Sequence, residues 1–169
     1  MPLMDFSYFF LTPDEAIEID DEKFINNSSI VTVATVTGSK YTEKFLFGGD
    51  METAGWEALL DKDNGRLRKA VKDTDFFITS HHGHKSGFSE ELYKAMGKPL
   101  LNIVSIHRGD EKIDTRYSQE EYAKGIGPEN NKRRCLTTRQ DGSITVTVSA
   151  DGKFSVTSEH LAPLSLIHI

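Results

Sequence analysis

At 169 residues the chain is one domain by length and long enough for a real core. Its 37% hydrophobic and 27% charged residues are those of a soluble globular protein, and its lone cysteine, Cys135, excludes a disulfide framework and a Cys-rich zinc site. The net charge of −6 sits in residues 1–29, where seven acids (Asp5, Asp14, Glu15, Glu18, Asp20, Asp21, Glu22) face one base, Lys23, so the remainder sums to zero and offers no broad basic face for non-specific nucleic-acid binding.

No apolar run approaches the roughly 18–20 residues that span a bilayer, and no charged-then-apolar leader opens the chain, which makes the cytoplasm the default location. Residues 6–11 (FSYFFL) read as a strand ended by Thr12-Pro13. The acidic run 14–22 reads as an exposed loop with at most one helical turn. Residues 29–36 (SIVTVATV) and 41–47 (YTEKFLF), joined by Gly38-Ser39, predict a β-hairpin, and Gly48-Gly49-Asp50 ends its second strand. The period then changes: Ala54, Trp56, Leu59, Leu60, Leu67, Ala70 and Val71 suit one or two helices broken near Asn64-Gly65.

Residues 75–79 predict a buried strand. Residues 89–96 predict a helix capped by Ser89, with Glu90 and Glu91 in its first turn and Gly97 as its stop. Another buried strand follows at 99–106, then a short amphipathic helix at 117–124 and a polar loop at 125–132, beside a solvated basic turn, Lys132-Arg133-Arg134. Residues 135–139, 143–149 and 154–157 alternate polar and apolar. The turns Gln140-Asp141-Gly142 and Ala150-Asp151-Gly152 would join them into a β-meander. This order argues for an α/β chain of mixed α+β character, a mixed sheet with helices packed on it.

The chemistry concentrates in residues 79–91 (TSHHGHKSGFSEE), which hold His81, His82 and His84 on a turn loosened by Gly83. Imidazoles at a strand end suit metal ligation or acid–base work, against the plainer reading of a solvated His-rich loop. Asp50 follows Gly48-Gly49, where glycine lets the backbone approach a ligand closely; its plainer role is a turn residue before the helix near Thr53. If the two strands share a sheet, their ends converge, and Asp plus His suits zinc, manganese or iron.

Residues 45–52 (FLFGGDME) and 76–86 (FFITSHHGHKS) resemble the last two metal motifs of the metallo-β-lactamase fold, in the branch of ComEC-type DNA-uptake hydrolase domains. Residues 25–31 (INNSSIV) and 136–144 (LTTRQDGSI) are similar to two further hairpin signatures of that branch, so the resemblance runs from about Phe6 to about Val156. It implies the C-terminal half of an αββα sandwich, with helices on one face of a mixed sheet. It implies a divalent metal, zinc with manganese as the other candidate. Asp50 would bridge the metals and act catalytically. His81 or His82 would supply the final ligand, His81 being preferred as nearer the strand end, with His82 then a catalytic group that supports the ligands or faces substrate. His84, Lys85 and Ser86 would contact substrate, a phosphodiester or nucleic acid by analogy alone.

The family's first half carries a His-x-His-x-Asp-His loop, and this chain has none; His81 is its first histidine. The resemblance therefore implies an incomplete metal site, a partner in the missing N-terminal half of the domain, and a hydrolase inactive as it stands. The alternative is a degenerate, non-catalytic binding or assembly domain. An exposed sheet face would favour homo-oligomers. The last six residues (LSLIHI) translate a transposase-adapter string, so 1–158 is expected to form one partial domain and 159–169 a non-native or disordered tail.

Overall fold

The computed structural model describes residues 2–107, 109 and 112–164. Six strands form one sheet in sequence order: β1 (Leu3–Phe9), β2 (Val31–Thr37), β3 (Thr42–Phe47), β4 (Phe76–Ile78), β5 (Leu101–Val104) and β6 (Cys135–Thr137). The first three pair antiparallel and β3 to β6 pair parallel, so the sheet is mixed, as its pattern of a hairpin followed by strand–helix–strand units requires.

Helices α1 (Pro13–Ile19), α3 (Thr53–Asp61), α4 (Arg66–Val71) and α5 (Glu90–Met96) contribute to one core, in which Trp56, Leu60, Leu67 and Leu92 pack with Val33, Leu46, Phe77 and Val104 of the strands. A single turn, α2 (Phe24–Asn27), leads into β2. The α3–α4 break falls at Asn64 and Gly65, both with positive φ, and α5 starts at the Ser89 cap and stops at Gly97, as expected.

The opposite side of the sheet carries a second core. There Phe45, Phe76, Leu101 and Leu136 meet Phe154 and Val156 of a separate three-stranded sheet, β7 (Ile144–Val148), β8 (Phe154–Ser158) and β9 (Leu161–Leu164). Phe76 stacks on Phe45 at 4.9 Å and meets Phe154 edge-on at 5.0 Å. The hairpin tip leans on this layer as well: a Cβ on Gly38 would lie 2.2 Å from the Gly152 nitrogen, a contact that excludes every side chain.

Three expectations change. The acidic run is α1 for two turns, because Thr12 and Glu15 form a reciprocal capping box, Pro13 opens the helix and Ala16 is buried. Residues 117–124 are not a helix. A single 3₁₀ turn (Thr115–Ser118), capped by Asp114, turns Tyr117 inward against Phe88, and Gln119 is already extended. Residues 135–139 do not begin the meander; β6 closes the main sheet, and the predicted hairpin turn is a helical turn, α6 (Thr138–Asp141), capped by Thr137. Beyond residue 158 the chain continues into β9, paired with β8, while 165–169 lie outside the described residues. No helix among the described residues is long and apolar enough to cross a membrane.

Candidate metal centre

Because β3, β4 and β5 run parallel, their carboxyl ends meet at one edge of the sheet, where open α/β sheets place their ligands. Phe47, Ile78 and Ile103 are in register, so Asp50 and His81, each three residues on, emerge side by side. Gly48 N–H donates to the Ile78 carbonyl and His81 N–H to the Gly49 carbonyl, which extends the ladder into the turn. A Cβ on Gly48 would sit 2.6 Å from Ser80 Oγ, and Gly49 has φ +58°, so both glycines are needed for the two turns to touch.

The turn itself is strained. His81, His82 and Gly83 all take left-handed φ values of 46°, 53° and 74°. For the two histidines that conformation costs roughly 1–3 kcal/mol each, a cost that clusters at sites where side-chain placement matters. Trp56 Nε1–H, donating to buried Ser80 Oγ at 2.8 Å, ties the turn's base to the core.

His82 Nδ1 lies 2.7 Å from the Ser105 carbonyl. A carbonyl only accepts, so Nδ1 carries a proton, and Nε2 faces Asp50 Oδ1 at 3.7 Å. The Asp50 backbone is itself held by Ser29 Oγ, which accepts its N–H at 2.9 Å. Both side chains are about half exposed. His81 turns elsewhere: its Nδ1 is 3.3 Å from Glu52 Oε1 and 2.9 Å from Ser86 Oγ. The carboxylate fixes the proton on Nδ1 and leaves Nε2 free. The Ser86 hydroxyl then donates to His84 Nδ1 at 3.0 Å, so His84 carries its proton on Nε2.

His82, not His81, faces Asp50, because a left-handed turn swings successive side chains apart and strand distance alone does not decide direction. Lys85 is exposed and lines a cleft with His84 and Ser86. Residue typing passed over Glu52. It is 5% exposed and gathers Lys23 at 2.9 Å, the Asn26 amide at 2.8 Å and His81. Burial pushes its carboxyl up, but the Lys23, Asn26 and His81 contacts outweigh that and hold it below its ordinary value. Its signal was an acid two residues after Asp50, at the start of a helix. Ser105 carried no signal, since it acts through its backbone.

Among the described residues no group of three or more His, Cys, Asp or Glu is arranged to hold a metal ion. No family model, curated protein or solved structure matches the chain.

Proposed function

We propose that Asp50 and His82 are part of a divalent-metal hydrolase centre of the metallo-β-lactamase type, related to the ComEC branch and acting on phosphoester bonds. One observation carries the reading: an imidazole whose Nδ1–H is held by a backbone carbonyl turns its Nε2 toward a carboxylate 3.7 Å away. That separation lets both groups ligate one ion, and a proton fixed on the far nitrogen is the usual support of a ligating histidine.

The donor set fits zinc, and manganese less closely. Asp50 and His82 would hold the ion, while Glu52 and Ser86 hold His81 to one side. Such an ion supplies acidified water and polarises a phosphoryl oxygen. Two or three ligands do not close a site that needs four or more. The rest are assigned to a second αβ half, as the motif resemblance implies. The chain alone is accordingly expected to hold zinc weakly and not to hydrolyse. Zinc titration of the purified chain, followed by calorimetry, checks this: weak binding abolished by Asp50→Ala supports the reading, and two tightly held ions per chain overturn the incomplete site.

A second reading, a non-catalytic assembly domain, is favoured by one surface. Met4, Phe6 and Tyr8 on β1 are 46–59% exposed, and β1 is an edge strand without Pro or Lys to blunt it. They share a sheet face with Phe45 and Phe76, which the small sheet covers. This strip requires a covering layer under either reading, from the second half or from another copy. The chain is expected to self-associate in sedimentation velocity, and Phe6→Glu with Tyr8→Lys to make it monomeric. A monomeric parent would contradict the need for cover.

A further inference from the structure

Beside the histidine turn lies a cleft of about 420 Å³ lined by Lys23, Asn27, His84, Lys85 and Ser86, with Asp20 and Glu52 at its wall. Asn27 is fully buried, and its Oδ1 accepts the Glu52 backbone N–H at 3.2 Å. Its Nδ2 has no hydrogen-bond partner among the described residues. A buried amide N–H₂ left without an acceptor costs the full loss of its hydration, so such a group points to something that completes it.

The other groups on the cleft are also donors. His84 takes its hydrogen bonds at Nδ1, from the Ser86 hydroxyl and the Ser86 N–H, which leaves Nε2–H to give. Lys23 and Lys85 each bring three N–H donors and a positive charge. Lys23 already gives one donor to Glu52 at 2.9 Å, and the Asp20 and Glu52 carboxylates share the cleft with the two ammoniums, so what the cleft offers is donors rather than net positive charge. An ammonium pair, an imidazole N–H and an orphaned amide offer more donors than the two oxygens of a carboxylate use. They match the several oxygens of a phosphoryl group, which Lys meets as a point charge.

We infer that this cleft is a phosphoryl-oxygen subsite, built on Asn27 Nδ2, Lys85, Lys23 and His84, that holds the substrate's phosphate against the turn that carries His82. The inference rests on the phosphoester reading above, but it concerns groups that need no metal.

The test titrates inorganic phosphate into the purified chain in EDTA, read by the side-chain amide resonance of Asn27 and by ³¹P line width. Saturable binding that shifts the Asn27 amide is expected. It should weaken about tenfold in Asn27→Asp, which keeps the Oδ1 acceptor but removes the donor, and severalfold in Lys85→Ala, an exposed position whose loss leaves folding intact. The Asp50→Ala, His82→Ala double variant is expected to bind phosphate as the parent does. Competition by a dinucleotide assigns the phosphate to a nucleic-acid backbone, and competition by a phosphomonoester alone assigns it to a small phosphoester. Affinity weaker than about 10 mM, or an unmoved Asn27 amide that holds only an ordered water, overturns the subsite. Phosphate binding without zinc binding sinks the metal reading and keeps the subsite; zinc binding without phosphate does the reverse.

Discussion

Glu43→Gln is expected to stabilise the chain by about 3–5 kcal/mol above pH 8 and to leave it unchanged near pH 4. Glu43, the second residue of β3, is 1% exposed, and burial, seconded by the Asp75 carboxylate, pushes its carboxyl up from 4.5 to about 8. Below pH 4.5 the group is protonated folded and unfolded alike, and nothing is lost. Between 4.5 and 8 the unfolded chain releases the proton while the folded chain keeps it, so stability falls by about 1.4 kcal/mol per pH unit and levels off above 8. Glutamine is close in shape to the protonated acid and does not titrate. Urea unfolding of parent and variant from pH 4 to pH 9 should give two curves that meet in acid and part in base. Parallel curves would mean that Glu43 ionises freely in the fold.

Trp56→Ala is expected to cost about 3–5 kcal/mol, a large fraction of the stability of a domain this size. The ring is fully buried, packs edge-on to Phe77 at 6.4 Å, and gives its Nε1–H to Ser80 Oγ. Alanine leaves both a cavity and an unmatched hydroxyl one residue before the histidine turn. Trp56→Phe separates the two effects, since it fills most of the space and removes only the donor, at about 1–2 kcal/mol. Circular dichroism during urea unfolding measures both variants. The parent can also be followed by fluorescence, because Trp56 is its only tryptophan. A Trp56→Ala midpoint within error of the parent would contradict the packing described.

The hairpin, the helix break at Asn64-Gly65, the Ser89-capped helix and the buried strands were legible because period and turn chemistry act locally there. The placement of β6 was not. Residues 135–137 alternate much as 144–148 do, and only pairing with Leu101–Val104, more than thirty residues earlier, separates the two sheets. The capping box at Thr12 and Glu15 was readable, but the acids around it argued for a loop. At the site, Asp50 and the histidine turn were visible as types at strand ends. Which imidazole turns toward Asp50 was not, because it depends on two left-handed residues and on a carbonyl at Ser105 contributed by a third strand end. Asn27 lies inside a hairpin signature, but its unmatched amide is a property of packing against Glu52 and the start of α3.

The central claim is that His82, through Nε2 and together with Asp50, is the metal-facing imidazole. Zinc titrated into the ¹⁵N-labelled chain, with the ring nitrogens of all histidines followed by long-range ¹H–¹⁵N correlation, tests it most directly. The account predicts that His82 Nε2 shifts with added zinc while Nδ1 keeps its proton to Ser105, and that Asp50→Ala removes the shift. A zinc-dependent shift confined to His84 or His160, with the His82 ring unmoved, would contradict it.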